Sequence, residues 1–316
     1  MKNMDISVRP LLENDLPQAD YIFRLAFGTF LELPDPLQFA GDTATVHTRW
    51  KADPSAALGA EVNGRLVASN FLTQWGSIGL FGPLTVHHDY RDKGIAKALL
   101  QETMKIFSKW KVMHAGLFTH AESPKHIALY QKFGFWPRYL TAIMSFQIRS
   151  KRSSLECVRL SEASNSTAAR LLEHCSKLTG EIHQGLNVTR EIYAVNDQKL
   201  GDTLMLFDGS QLVGFAVCHC GAGTEAGSGA CYLKFAAVRP GKKAEEYFRQ
   251  ILMNCEAFAS ALGIEQLIAG VNMARHRAYQ VMMNRGYRIF RLGVAMQKPN
   301  EAAYNRDECY VIDDWR

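Results

Sequence analysis

Two stretches of this 316-residue chain follow the same order of local patterns. Cys157-Val158-Arg159-Leu160 resembles Val8-Arg9-Pro10-Leu11, and Ser166 to Leu178 resembles the helical pattern from Ala19 to Phe30. Asp208-Gly209-Ser210 followed by Val213 to Val217 parallels the hairpin turn Asn63-Gly64 followed by Leu66 to Thr73. Further on the offset is constant: 238 − 86 = 152 for the valines, and 286 − 134 = 152 for the glycines. Repetition of so long a unit reads as two fused copies of one fold, and the length allows two full cores. The polar, apolar-poor run from Ile148 to Ser154 reads as the connection. The expected division is residues 1–149, a linker at 150–155, and residues 156–316.

Composition narrows the classes further. With 47% hydrophobic and 21% charged residues the chain reads as a soluble globular protein. No apolar run is long enough to span a bilayer, and Met1 to Arg9 lacks a signal-peptide core, so a cytoplasmic protein without a membrane partner is expected. The seven cysteines all follow residue 156, at irregular spacing, and are expected to be reduced. Cys218-His219-Cys220 is a weak metal pattern, because strand alternation puts the imidazole opposite the two thiols and no second ligand pair accompanies it. No metal is expected. Residues 1–153 carry 18 Lys and Arg against 13 Asp and Glu, the whole of the +5 excess. That is too slight and dispersed for nucleic acid, which is not an expected partner.

The first copy holds the most informative local sequence, Leu84 to Leu100. A short apolar strand (Leu84, Thr85, Val86) leads into a polar loop containing Arg91-x-x-Gly94-x-Ala96, and a helix begins at once. Backbone N–H groups at such a helix start are unpaired and converge, and the helix dipole adds positive potential. Gly94 and Ala96 keep the approach clear, and Arg91 and Lys93 add charge. Asp92 and Ile95 complete the loop. The helix from Ile95 to Trp110 is expected to bury Ile95, Leu99, Ile106 and Trp110. Asp15 is expected to cap the first helix, and Ser77 to Val86 to form a continuous strand.

Strand, R-x-x-G-x-A, helix resembles the acetyl-coenzyme-A loop of the GNAT acetyltransferase superfamily. Leu129-Tyr130-Gln131-Lys132-Phe133-Gly134-Phe135 matches a second signature of that family, L-Y-x-K-x-G-F. An antiparallel hairpin before the loop and a β-α-β-α-β run after it agree with the family topology. The chain as a whole resembles tandem GNAT proteins. The resemblance implies an α/β (α+β) fold of two tandem GNAT units, each a mixed, mostly antiparallel sheet flanked by helices. It also implies acetyl-CoA as cosubstrate.

The resemblance further implies a site. Backbone groups at Leu84, Thr85 and Val86 would bind the pantetheine arm between splayed strands, and residues 91–96 the diphosphate. Tyr130 is the family's general acid. Ser123 stands where the family often has an asparagine that contacts the pantetheine. Glu122 is a possible base, with His120, His87 and His88 nearby, and Glu32 and Asp35 are candidates for the acceptor wall. In the second copy Lys243, Glu246, Phe248 and Met282 replace Arg91, Gly94, Ala96 and Tyr130, so that copy is expected to be a degenerate partner.

The implied function is N-acetylation of a primary amine on a small molecule by direct attack in a ternary complex. Two alternatives stay open: a non-catalytic acyl-CoA sensor or scaffold, and a peptide N-terminal acetyltransferase. A homodimer is possible. The glycine-rich run Gly221 to Gly229 reads either as a flexible loop at the site or as a plain hairpin tip. The tail Tyr310 to Arg316, with Trp315 at its end, is expected to dock on a domain surface.

Overall fold

The computed structural model describes residues 5–148 and 156–316, so the expected linker at 150–155 lies outside the described residues. The first half runs β1 (Ile6–Pro10), α1 (Leu16–Phe30), α2 (Thr45–Ala52), β2 (Ala57–Val62), β3 (Arg65–Trp75), β4 (Ile78–Phe81), β5 (Thr85–Val86), α3 (Ile95–Lys109), β6 (His114–Thr119), α4 (Pro124–Gln131) and β7 (Trp136–Gln147). The second runs β8 (Val158–Arg159), α5 (Asn165–Ile182), α6 (Thr189–Asp197), β9 (Gly201–Asp208), β10 (Gln211–Gly221) and β11 (Gly227–Val238). It continues through α7 (Ala244–Ala261), β12 (Gln266–Asn272), α8 (His276–Arg285), β13 (Arg288–Lys298) and β14 (Val311–Ile312).

Local sequence explains most of these elements. Asn63 and Gly64 both take positive φ, as a two-residue hairpin between β2 and β3 demands. Pro124 opens α4, and Gly134 and Gly286, at φ of +85° and +105°, end the equivalent helices of the two halves. Asp15 departs from its expected role. Its carboxylate accepts the Leu12 N–H at 2.8 Å and pairs with Arg9, closing the turn before α1. In α3 the buried face is Ile95, Leu99, Thr103 with Leu100 and Phe107, while Ile106 and Trp110 are half-buried. Thr103 is buried because its hydroxyl accepts from the Asn70 amide at 2.9 Å.

The halves do not make two separate sheets. The strands form one sheet in the order β1-β2-β3-β4-β6-β13-β7-β12-β11-β10-β9-β8, with β5 on β3 and β14 on β11. The last long strand of each half is therefore inserted into the other half's side of the sheet. The repeat is visible in the pairing itself: Ile78 faces His114 in the first half, and Ala230 faces Gln266 in the second, both shifted by 152.

Helices cover both faces. α3 and α4 lie over a core that includes Val294 and Met296 of β13, and α1 and α2 enclose Phe23, Val46 and Phe71. Another core mixes the halves, with Trp75, Ile78 and Leu80 packed among Phe215, Phe235 and Trp315. Each such large side chain contributes about 1.5–3 kcal/mol on burial, so the contact between halves is a true core.

The tail is part of it. Val311 and Ile312 pair with Ala237 and Ala236 of β11. Asp313 is buried against Arg275 at 2.8 Å and accepts the Tyr304 hydroxyl at 2.8 Å. The Trp315 ring lies on Gly116 of β6, where a Cβ would meet it at 2.5 Å.

Candidate active site

The strand expected from Ser77 to Val86 is broken at Gly82-Pro83. β4 pairs with β6 in parallel only as far as Leu80 facing Gly116. β5 then pairs with β3 alone (Ala68 with Val86, Ser69 with Thr85), so its other edge carries no strand among the described residues. A V-shaped cleft opens between β5 and the end of β6. Main-chain groups at Leu84–Val86 line one side, and Thr119, His120 and Ser123 follow on the other.

At the far end of the cleft is the loop into α3. Gly94 caps that helix with φ +84°, and no side chain caps the first turn. A Cβ at Gly94 would meet nothing within 4 Å, so the helix N-terminus faces open space. Arg91 and Lys93 are exposed, and the Lys93 ammonium donates to the Asp89 carbonyl at 2.7 Å. Asp92 points away to Lys125 at 2.5 Å. Ile95 is buried under the loop and anchors it. Converging N–H donors, open space and net positive charge fit a diphosphate.

Beneath the apex of the cleft, Tyr130 is 8% exposed, its ring edge-on to Phe81 at 5.7 Å. Burial pushes its hydroxyl well above the usual phenol range, so it stays protonated at neutral pH. Ser123 is buried at the start of α4. His120 is buried against Phe27, Phe30 and Phe118, and burial lowers its pKa and favours the neutral ring. Glu122 is mostly exposed, with a carboxylate oxygen 3.5 Å from His120 Nδ1.

Glu32 and Asp35 are exposed on the loop after α1, and Asp35 is occupied by the Leu37 N–H at 3.0 Å in its own turn. His87 is buried beside Tyr21 and Tyr90, with His88 and Asp89 at its side. Ser123 donates its N–H to the His120 carbonyl at 3.2 Å, so these two stand together after β6, while Glu32 and Asp35 are exposed.

A second set of residues stands at the break itself. Arg49 of α2 donates to the Gly82 carbonyl at 2.6 Å and holds Glu225 at 3.0 and 2.7 Å. Lys234 of β11 joins the same Glu225 at 2.9 Å. Arg49, Gly82 and Lys234 bound a narrow pocket shared with Trp75, Tyr232, Trp315 and Arg316. No local motif announces them, because the first half, β11 and the tail each supply a part.

Glu225 belongs to the glycine-rich run, which is neither free nor a plain hairpin tip. Asp42 binds Ser228 through N–H and hydroxyl, Gly223 donates to the Asp42 carbonyl, and the Arg49–Glu225 pair is buried. Glycines at 221, 223, 227 and 229 take positive φ and let the tip fold back on the first half. Cys218 and Cys220 turn toward Cys231 while His219 lies on the other face near Tyr232 and Glu191, as alternation requires.

Two repeated units thus share one sheet. Residues 21–135 match the family model described as "Acetyltransferase (GNAT) family". A candidate acetyltransferase from Pyrococcus horikoshii is similar over 100% of this chain and 96% of its own, at 16% identity and a TM-score of 0.70. A GCN5-related N-acetyltransferase from Sphaerobacter thermophilus is similar over 93% and 95%, at 14% identity and a TM-score of 0.61. Likeness at this identity shows the fold alone. No curated protein matches the sequence. Among the described residues no helix is long and apolar enough to cross a membrane.

Proposed function

We propose that the first half transfers an acetyl group from acetyl-CoA to the primary amine of a small molecule, by direct attack in a ternary complex. The observation that carries this reading is the cleft beside β5, with the uncapped start of α3 at one end and Tyr130 under the other. Acetyl-CoA bound there supplies an activated acyl group. Open N–H and C=O groups of Leu84–Val86 would hold the pantetheine arm as an added strand, and residues 91–96 the diphosphate.

The amine nitrogen forms its bond to the acetyl carbon, and the carbon–sulfur bond breaks with its electron pair on sulfur. Tyr130, kept protonated by burial, supplies the proton that sulfur takes up. The amine proton leaves through water to a base. His120, neutral and enclosed, is better suited to that than the solvated carboxylate of Glu122, which instead orients the ring.

The second half acts as a non-catalytic partner. Its Ala236 and Ala237 are the repeats of Leu84 and Thr85 (236 − 152 = 84), and there the chain's own β14 forms the added strand. Phe248 is fully buried where Ala96 would be, and Glu245 and Glu246 sit in the first turn of α7. Lys243 and Tyr247 both bind Asp208. These features oppose a diphosphate there.

Release of free thiol from acetyl-CoA against a panel of amines tests the reading. Turnover that Tyr130→Phe abolishes while coenzyme affinity is kept supports it. Tight coenzyme binding without turnover on any amine would favour the sensor alternative. Peptide acetylation requires an open channel past Gly82, which the wall formed by Tyr232, Lys234 and Trp315 disfavours.

A further inference from the structure

We propose that Cys220 and Cys231 form a site of reversible oxidation, a thiol pair that closes to a disulfide across the β10–β11 hairpin and fixes the base of its tip. This does not depend on the acetyl-transfer reading. All seven cysteines are free thiols in the structure.

Strand pairing sets the geometry. β10 and β11 are antiparallel, and Cys220 faces Cys231 directly in their register. Cys220 donates its N–H to the Leu200 carbonyl at 2.7 Å, on the side away from β11. The N–H and C=O of one strand residue point the same way, so toward β11 the two cysteines are a non-hydrogen-bonded pair. Cα atoms of such a pair stand about 4.5 Å apart, inside the range of about 4.4–6.8 Å that a disulfide spans. Facing residues also share a face of the sheet, and both side chains pack into the core that α7 covers.

The side chains agree with the backbone. The Cys220 thiol is held well above the usual thiol range, first by its contact with the Cys231 thiol and then by burial. Cys231 also meets the Cys218 thiol. Cys218, however, faces Leu233, two residues further along β11. It is a diagonal neighbour of Cys231, with Cα atoms about 7–8 Å apart, and a bridge there would require the backbone to move. The geometry therefore favours the bond between Cys220 and Cys231.

Cys231 is fully buried and Cys220 half-buried, so Cys220 is the sulfur that an external oxidant meets. The oxidant is a small-molecule disulfide. The Cys220 thiolate attacks one of its sulfurs and expels the other as a thiolate. The Cys231 sulfur then attacks Cys220 in the mixed disulfide, and its proton passes to the second departing thiolate. Two protein thiols are oxidised, and one small disulfide is reduced to two thiols. Only the thiolate attacks, so the raised thiol pKa values make the exchange slow. The pair stands where the run Gly221–Gly229 begins and ends, and Asp42 and Arg49 already pin that run to the first half. The disulfide adds a covalent tie at its base.

The experiment equilibrates the folded protein with graded ratios of oxidised to reduced glutathione at mildly alkaline pH. Remaining thiols are alkylated, and the denatured chain is cut after Glu225, which lies between the two cysteines. Expected are the loss of two of the seven alkylatable thiols and a pair of fragments linked through Cys220 and Cys231, both reversed by dithiothreitol. Cys218→Ser and Cys255→Ser should keep the link, and Cys220→Ser should abolish it. Amide exchange at residues 221–230 should slow about tenfold or more on oxidation of the unsubstituted protein. Seven thiols still alkylatable at the most oxidising ratio, or a link through Cys218, overturns the proposal. A link that leaves amide exchange unchanged overturns its role in fixing the tip.

Discussion

Thr141 of β7 and Gly293 of β13 face each other across an antiparallel pair, and each is the repeat of the other, 293 − 141 = 152. A residue that meets its own repeat marks a local twofold axis, here running between the two exchanged strands. The axis is broken chemically. A Cβ on Gly293 would meet the Phe118 ring at 2.2 Å, whereas Thr141 takes a bond from the Asn272 amide at 3.4 Å.

Exchange of β7 and β13 means that neither half can complete its sheet alone. Residues 1–148 expressed by themselves should leave β6 without the strand that separates it from β7, and should aggregate or remain molten. Co-expression with residues 149–316 should restore a single soluble species on gel filtration. A monomeric, cooperatively folded 1–148 fragment would contradict the exchange.

Tyr130→Phe should lower kcat by about 10²-fold or more, within the range of general acid catalysis. Coenzyme affinity by calorimetry should change less than about threefold, because the ring keeps its packing on Phe81. A parallel loss of affinity would make the residue a packing element.

One coenzyme should bind per chain, since β14 lies on the second half's equivalent strand. Gly94→Val should cost about 1–2 kcal/mol of stability from the φ of +84° alone. It should also weaken coenzyme binding at least tenfold by placing a branched side chain in the open approach. A stoichiometry of two would restore a site to the second half.

Gly116→Ala should destabilise by about 1–3 kcal/mol, because its Cβ would fall 2.5 Å from the Trp315 ring. Trp315 is tied by its indole N–H to Tyr304 at 2.9 Å and cannot move freely. The tail should loosen first, seen as faster amide exchange at residues 310–316.

Acid should destabilise the protein through histidines buried neutral. Burial lowers the pKa of His219 and of His114 from the ordinary 6.5. Below pH 6.5 the unfolded chain takes up protons that the folded chain refuses, so stability is full above that pH and falls as pH drops toward the folded values, by up to about 1.4 kcal/mol per histidine per pH unit. Urea midpoints at pH 7.5 and 5.5 measure this. His219→Gln should flatten the profile, and an unchanged profile would show that His219 is protonated in place.

The loop before α3 and the end of α4 were legible because their determinants are local. A glycine that must adopt positive φ, a helix start nine residues after a strand, and Tyr130 beside its own helix end all lie within short stretches of Leu84–Phe135. The buried face of α3 was misjudged at Ile106 and Trp110 because burial there follows Asn70 and Thr103, a polar pair that hydrophobic spacing does not register. The Gly221–Gly229 run resembled a flexible loop because composition does not reveal that Asp42 and Arg49 pin it.

The same division holds for the motif at residues 84–100 and what surrounds it. The sequence by itself determined the repeat, the α/β pattern of each half and the loop at 91–96, since these depend on residues near one another in the chain. Only the tertiary structure decided that β7 and β13 change sides, that the tail adds a strand to the second half, and that Arg49, Lys234 and Arg316 meet at Gly82. Those contacts join segments far apart in the chain, 74 residues from Ala237 to Val311 and 152 from Thr141 to Gly293. Strand partners are chosen by register and shape across the whole sheet, and no short window of sequence carries that information.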